Sequence, residues 1–251
     1  MATFRFTFGT MGSGKSTQAL QIHHNLRARG LTTVLTTQLD RATGRVSSRL
    51  GVSADAEIVE ASTDLFELVR RRVGTLGKVD AVICDESQFY EPVQCEQLAR
   101  VVDELGVDVF AFGLLTTFQG RMFPGSARFM ELADERTEIQ VEARCWCGRR
   151  ATQNARFVDG VQVVAGQLKV VGDTAEPVAH EVTYDLLCRA HWMEGAKAAR
   201  GDQLELLDDD VARPDDHPDR SGPVEVDPDA VPNPLHATVP HEVASHSGAH
   251  S

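Results

Sequence analysis

The chain has 251 residues, of which 42% are hydrophobic, and its 37 acidic and 25 basic residues give a formal net charge of −12. No run of about 18 apolar residues occurs, which excludes a membrane-spanning helix, and the length corresponds to one or two domains of roughly 100–200 residues. The N-terminus has no basic region followed by an apolar stretch, so we expect no secretory signal, and five cysteines in a chain of this length favour a reducing, cytoplasmic compartment over a disulfide scaffold.

Strand and helix patterns alternate along the first part of the chain. Apolar residues at helical spacing predict helices at 16–29, 64–73 and 92–105, the last with Pro92 at its start and Gly106 after its end. Runs rich in β-branched and aromatic residues predict strands at 3–8, 31–37, 58–59, 79–84, 107–112 and 138–143. This alternation predicts a parallel sheet with helices on both faces, so the expected fold class is α/β, with a first domain at 1–143.

The pattern changes after residue 143. Cys145, Cys147, Cys188 and His191 bracket a short β-rich stretch. We therefore expect a second, smaller domain at 144–200.

The last segment, 201–251, differs from the rest in composition. It holds 12 acidic and two basic residues, seven of the ten prolines and no aromatic residue. Such a segment cannot bury enough apolar area to offset its ordering entropy. We expect a disordered acidic tail that either solvates the protein or docks a partner.

The segment between the first strand and the first helix matches the phosphate-binding pattern GxxxxGKS without a mismatch. Glycines allow backbone N–H groups to point at phosphate oxygens, and the N-terminus of the following helix adds partial positive charge. The lysine would contact the β- and γ-phosphates, and the serine hydroxyl would bind Mg²⁺. The expected ATP and magnesium contacts here are Gly9, Thr10, Met11, Gly12, Ser13, Gly14, Lys15, Ser16 and Thr17.

A carboxylate for magnesium is expected at the end of the predicted strand 79–84. Asp85 and Glu86 follow this strand, and ligands of open α/β sheets gather at the carboxyl ends of strands. Because successive strand residues point to opposite faces, the two carboxylates divide the work: Asp85 serves magnesium, and Glu86 serves a proton or a water molecule. These residues indicate nucleoside triphosphate chemistry, and they suit an ATPase and a kinase equally.

Four motifs, in order along residues 3–195, resemble those of the type II thymidine kinase family. They are Gly9-Thr-Met11-Gly-Ser-Gly-Lys-Ser-Thr17, Asp85-Glu86-Ser-Gln88-Phe89, Gly113-Leu114 with Phe118-Gln-Gly-Arg-Met-Phe-Pro124-Gly, and a zinc module ending in Tyr184-x-x-x-Cys188-x-x-His191. The resemblance implies a P-loop (RecA-like) domain, a zinc-binding lasso domain and ATP-dependent phosphorylation of the 5′-hydroxyl of thymidine, and also of deoxyuridine. It further implies a homotetramer and feedback inhibition by thymidine triphosphate.

The same resemblance assigns roles to individual residues. Glu86 becomes the general base and Asp85 the magnesium carboxylate, while Arg45 stabilises the transferred phosphate, with Arg41 as its rival. The expected nucleoside contacts are Met11, Gln88, Phe89, Leu114, Phe118, Leu168, Val170 and Tyr184. Asn154 stands where relatives have a threonine near the base, so the preference between thymidine and deoxyuridine stays open.

A structural zinc site takes four nitrogen or sulfur ligands, usually as two closely spaced pairs. Cys188 and His191 form such a pair, whereas Cys145 and Cys147 have a CxC spacing, one residue shorter than the CxxC of the family. These four are the expected ligands, and a metal-free module with packed thiols is the alternative.

For the whole chain, the alternative function is a P-loop ATPase switch whose zinc module binds a partner. The nearly neutral body and the acidic tail argue against a nucleic-acid partner.

Overall fold

Six parallel strands form the central sheet of this computed structural model. The structure describes residues 1–38, 44–48, 51–139, 142–166 and 181–195. All of them belong to one unit, Met1–Gln203. In chain order the elements are β1 (Phe4–Phe8), α1 (Lys15–Ala28), β2 (Thr33–Thr37), β3 (Arg45–Ser47), β4 (Ser53–Asp55), β5 (Glu57–Ile58), α2 (Leu65–Leu76), β6 (Ala81–Cys84), α3 (Pro92–Leu105), β7 (Asp108–Gly113), α4 (Pro124–Leu132), β8 (Glu135–Glu138), β9 (Gln153–Val158), β10 (Val161–Val163), β11 (Val182–Leu187) and α5 (Arg189–Glu194).

The sheet order is β5-β2-β6-β7-β1-β8, and every neighbouring pair is parallel. Alternate residues of β6 enter two separate cores, one on each face. Val82 packs with Leu65 of α2 and Leu98 of α3, whereas Ile83 packs with Leu20 of α1. Helices therefore cover both faces, which confirms the predicted α/β fold class.

Strand order brings the functional loops together. Strands β6, β7 and β1 are adjacent and parallel, so the chain leaves all three at the same edge of the sheet. The amide of Gly9, just after β1, donates to the carbonyl of Gly113 at the end of β7 at 3.3 Å. This edge carries the phosphate loop, the Asp85–Glu86 pair and the loop after β7.

Two parts of the structure differ from the sequence-based expectation. The strand predicted at 138–143 was wrong in position: β8 lies at Glu135–Glu138, and all four of its residues are exposed. Its sequence, Glu-Arg-Thr-Glu, has no apolar alternation by which a strand could be predicted. It is an edge strand that is held in place by backbone pairing to β1. The antiparallel hairpin of β3 and β4 was not expected at all.

The Cys/His region forms a small structure of its own, called the metal module below (residues 142–166 and 181–195). Strands β10, β9 and β11 make an antiparallel sheet, and α5 follows it. Its core holds Ala151, Ala155, Phe157 and Leu187 beside two cysteines. The middle of the predicted lasso and the predicted acidic tail lie outside the described residues. In the part of the chain that the structure describes, no helix combines the length and the apolar character needed to cross a bilayer.

Candidate active site and metal centre

The phosphate loop joins β1 to α1 at the functional edge of the sheet. Gly12 and Gly14 have φ values of 69° and 85°, which glycine adopts without strain, and Gly14 caps α1. The first turn of α1 contains no acidic residue, so its N–H groups keep their affinity for an anion. Gly9 is required by space, because a Cβ there would collide with the backbone oxygen of Ile139 and with the Ser13 side chain.

The nine predicted nucleotide contacts are consecutive in this loop and the first turn of α1. Within it, the Lys15 ammonium donates to the carbonyls of Thr10 at 2.7 Å and Gly9 at 3.4 Å and to the Ser13 hydroxyl at 3.3 Å. The Thr10 hydroxyl oxygen is buried and has no hydrogen-bond partner among the described residues. The loop thus holds a buried cation and a buried polar atom around a turn that suits a phosphate chain.

Asp85 follows β6 and is only 4% exposed. Burial raises the pKa of its carboxyl to about 6, and the neighbouring Glu86 charge adds to this, while the Ser16 hydroxyl and Lys15 act in the opposite direction. The Ser16 hydroxyl is near enough to the Asp85 carboxylate to lower its pKa, so the predicted magnesium ligands of the two motifs are neighbours. A bound divalent cation would offset the cost of burying the ionised Asp85 carboxylate next to Glu86.

Glu86 points away from the strand because its backbone is left-handed, with φ 52°. It precedes a 3₁₀ turn over Ser87–Phe89, and within that turn Gln88 is almost fully buried. The Gln88 amide nitrogen donates to Glu86 Oε2 at 2.5 Å, and its amide oxygen accepts the Leu114 N–H at 3.0 Å. Gln88 therefore ties the predicted base to the loop after β7.

The predicted nucleoside pocket is defined here as Met11, Phe89, Leu114 and Phe118. Met11, Phe89 and Leu114 are half-buried, and Phe118 is buried. The Arg156 guanidinium lies over the Phe118 ring at 5.4 Å from its centroid. Phe89 packs edge-on against the ring of a neighbouring phenylalanine at 5.4 Å.

The remaining predicted nucleoside contacts lie on the lasso side. Tyr184 is on β11, partly exposed, and pairs in register with Arg156 of β9. Leu168 and Val170 lie outside the described residues, so their predicted contact with the base stays a prediction.

Asn154 has a position that the sequence did not reveal. Its amide oxygen accepts the Met11 N–H at 2.9 Å, and its amide nitrogen donates to the Thr116 carbonyl at 3.1 Å. Met11 is 143 positions away in sequence, so no local pattern could have indicated this contact.

Arg45 lies on β3 with about half of its side chain exposed. Its guanidinium donates to the Ser53 hydroxyl at 2.9 Å and lies 3.5 Å from the Asp55 carboxylate. Its rival Arg41 lies outside the described residues. The phosphate role of either arginine stays a prediction.

The four predicted metal ligands converge in the metal module. The ligand atoms of Cys145, Cys147, Cys188 and His191 all lie within 4.8 Å of one another. Cys145 Sγ is 3.2 Å and Cys188 Sγ is 3.5 Å from His191 Nδ1, and the sulfurs of Cys147 and Cys188 are 3.9 Å apart. Sulfur ligands about 2.3 Å from a tetrahedral centre are about 3.8 Å apart, so the group has the dimensions of a metal site.

The short CxC spacing does not keep either sulfur out of this group. Burial raises the pKa of the Cys145 thiol, and backbone N–H groups of Cys147 and Cys188 near its Sγ act in the opposite direction. Backbone N–H groups of Ala190 and His191 near Cys188 Sγ lower the pKa of that thiol, so the N–H groups favour the thiolate form at both cysteines. A thiolate is the form of cysteine that binds a metal ion. The group can therefore hold a metal ion with three sulfur ligands and one nitrogen ligand.

Comparison with known proteins places this geometry in context. The sequence model of the thymidine kinase family matches residues 2–192. A thymidine kinase of Streptomyces coelicolor is 54% identical over 187 residues, which cover 74% of this chain and 86% of the relative. Thymidine kinases of Cutibacterium acnes and Ruegeria pomeroyi are 46% and 44% identical, over 78% and 80% of this chain and 90% and 100% of their own lengths.

Proposed function

The chain belongs to the thymidine kinase family, and from this premise we propose that it transfers the γ-phosphoryl group of ATP to the 5′-hydroxyl of thymidine, and also of deoxyuridine. As a member of that family it is a phosphotransferase. The observation that carries the proposal is the position of Ser16 beside Asp85, where its hydroxyl lowers the pKa of that carboxyl, with Glu86 next along the chain. This arrangement brings the phosphate loop beside a candidate general base, as a kinase requires.

In the proposed reaction, ATP lies on the phosphate loop and Lys15 exchanges the Thr10 carbonyl for phosphate oxygens. Such charge-assisted hydrogen bonds are stronger than those to a neutral carbonyl. Ser16 and Asp85 would hold Mg²⁺, which neutralises phosphate charge when bound. Glu86, oriented by Gln88, accepts the proton of the attacking 5′-hydroxyl.

Arg45 is proposed to stabilise the equatorial oxygens of the transferred group. Its present partners, Ser53 and Asp55, are on the surface. Exposed ion pairs contribute only about 0–1 kcal/mol, so Arg45 would lose little stabilisation on leaving them for a phosphate. Arg41 remains the rival for this role.

We propose that the metal of the Cys/His group is a structural zinc ion. The three sulfurs and one imidazole are ligands that zinc prefers, and no ligand position is left open for a substrate. None of the five cysteines, all of which lie in the described residues, forms a disulfide, which supports a reducing, cytoplasmic location.

Three further proposals rest on the family resemblance or on composition. The chain would divide into a nucleotide-binding domain at 1–143, a zinc-binding lasso domain at 144–200 and an acidic tail at 201–251. It would assemble as a homotetramer and be inhibited by thymidine triphosphate.

The deciding experiment is ADP release from ATP·Mg²⁺ by the full chain, with and without thymidine, with the product identified by mass. We expect thymidine-dependent ADP release and an equal amount of thymidine monophosphate, with deoxyuridine as a second acceptor. Lys15→Ala should abolish both signals, whereas Lys78→Ala, at a surface lysine paired with Asp80, should leave them unchanged. ADP release that ignores every nucleoside would contradict the kinase and favour an ATPase switch.

A further inference from the structure

A buried amide connects three separate parts of the molecule. Asn154 is 4% exposed and lies on β9 of the metal module. Its oxygen accepts from the Met11 N–H in the phosphate loop, and its nitrogen donates to the Thr116 carbonyl in the loop after β7. Both bonds have good lengths, and a buried amide that lost one of them would leave a polar atom unsatisfied.

Two of the hydrogen bonds that hold the loop after β7 involve buried side-chain amides. At Leu114 its N–H is held by Gln88, which also holds Glu86. At Thr116 its carbonyl is held by Asn154, which also holds the phosphate loop. The segment that carries Leu114 and Phe118 of the nucleoside pocket is thus connected to the predicted base on one side and to the nucleotide site on the other.

Asn154 is poorly placed to read the base by itself. A side-chain amide has two N–H donors and two acceptor lone pairs, and here one of each already bonds to a backbone group while the residue is almost fully buried. The residue fixes the main chain on either side of the pocket instead.

We propose that Asn154 is a positioning residue that couples nucleotide binding at the phosphate loop to the shape of the nucleoside pocket. A nucleotide that orders the Met11 peptide orders the Thr116 peptide through the same amide, so the loop is already arranged when the nucleoside arrives. Coupling of this kind is reciprocal, so each ligand raises the affinity for the other by the same factor. The proposal rests on the proposed kinase function for the identity of the two ligands.

The test measures thymidine Kd by calorimetry on the full chain, with and without AMP-PNP·Mg²⁺ as a non-hydrolysable nucleotide probe. In the wild type we expect the probe to lower the thymidine Kd by about fivefold or more. Asn154→Leu, whose side chain has the same branching and no polar atoms, should reduce this ratio to about one. Asn154→Thr, whose hydroxyl reaches one partner at most and whose branched side chain suits a strand, should do the same if the leucine variant does not fold.

The matched control is Asn25→Leu, at an exposed position on α1, which should keep the wild-type ratio. Deoxyuridine gives a readout that separates positioning from base reading: the affinities for thymidine and deoxyuridine should weaken by equal factors in Asn154→Thr. Unequal factors would make Asn154 a specificity residue and overturn the positioning role.

Hydrogen exchange gives a second readout that needs only the nucleotide. AMP-PNP·Mg²⁺ should slow amide exchange in the peptide covering 114–118 in the wild type and not in Asn154→Thr. If the wild type binds the nucleotide but neither this peptide nor the thymidine Kd responds, the coupling is overturned while the kinase function stands. If the wild type binds no nucleotide, the proposed function itself fails, and the coupling fails with it.

Discussion

Glu86 is oriented by a left-handed backbone and by one neighbouring amide. The φ of 52° turns its carboxylate out of the strand, and the 2.5 Å bond from Gln88 fixes Oε2. Since non-glycine residues seldom adopt this conformation, a functional role for the strained position is the natural inference.

We expect Glu86→Gln to lower kcat by about 10²–10⁴-fold, because the amide cannot accept the proton of the 5′-hydroxyl. ATP affinity should stay within about twofold, since the phosphate loop and Asp85 are untouched. Steady-state kinetics with thymidine and calorimetry with ATP check the two parts. Glu104→Gln, at an exposed glutamate paired with Arg100, should match the wild type. Near-normal kcat in Glu86→Gln would remove Glu86 as the base.

Asp85→Asn is expected to make the ligand-free protein more stable at pH 8. The pKa of Asp85 is raised from 3.8 to about 6, so the ionised carboxylate costs about 3 kcal/mol in the folded state above pH 6. This penalty shrinks as pH falls from 6 to 4, because the folded state takes up a proton before the unfolded state does. The gain in melting temperature should shrink over the same range.

Asp80→Asn supplies a control of opposite sign for that measurement. Lys78 and the Thr32 N–H lower the pKa of Asp80, so its ionised form stabilises the fold, and its loss should lower the melting temperature at pH 8 and matter less as pH falls. With ATP·Mg²⁺ present, Asp85→Asn should lose its advantage, since the proposed magnesium ligand is gone. A ligand-free Asp85→Asn that melts below the wild type at pH 8 would show that the fold favours the charged carboxylate.

At the scale of elements, residues that start and end a helix predicted its bounds correctly where those bounds depend on neighbouring residues alone. Helix α3 runs from Pro92 to Leu105 as expected, because proline suits the first turn and Gly106 adopts φ 67° after the last. The strand before the phosphate motif and the helix after it were likewise predicted, since the motif lies in consecutive residues, while its nucleotide contacts stay a prediction. Strand β8 was misplaced because only its pairing with β1 defines it.

The hydrogen bonds that join distant segments at the candidate site could not be predicted from the sequence. Gln88 was expected among the nucleoside contacts, and nothing around it indicates that its amide joins Glu86 to Leu114. Asn154 and Met11 meet only because the metal module folds against the phosphate loop. Contacts between distant segments depend on the packing of whole elements, which periodicity and spacing do not encode.

The metal module gives a prediction at this same scale. Cys145→Ser should lower the zinc content of the dialysed full chain well below one ion per chain, because a serine hydroxyl replaces one of the four proposed ligands. Thermal unfolding of the module should begin earlier, since its small core surrounds Cys145 and Cys188. Mass-spectrometric metal analysis and circular dichroism check both. Cys95→Ala, a buried cysteine of α3 outside the metal group, should keep the zinc, and full zinc retention in Cys145→Ser would remove Cys145 as a ligand.

At the scale of the whole molecule, charge and chemistry belong to different parts of the sequence. Residues 201–251 hold 12 of the 37 acidic residues and two of the 25 basic ones, so residues 1–200 carry a net charge of only −2. The match to the thymidine kinase family ends at residue 192. The predicted catalytic and metal-binding residues all precede that point, so we expect the tail to act on the reaction only through its charge.

Removal of residues 204–251 tests this division. The deleted segment holds 11 acidic and two basic residues, a net −9, so the formal charge changes from −12 to −3. We expect thymidine phosphorylation, zinc content and melting temperature to be retained. Because ATP is an anion, kcat/KM for ATP should rise in the truncated chain at about 0.01 M ionic strength, where the screening length is about 30 Å, and the difference should largely vanish at about 0.15 M, where it is about 8 Å.

A full-length variant with the 11 acidic residues of that segment changed to their amides is the matched control. It keeps the length of the tail and removes its negative charge, so it should show the same salt dependence as the truncated chain. If only the truncated chain gains kcat/KM, the tail acts by its bulk and not by its charge. If truncation lowers the melting temperature or releases zinc, the tail belongs to the fold, and the division of the chain after residue 200 is wrong.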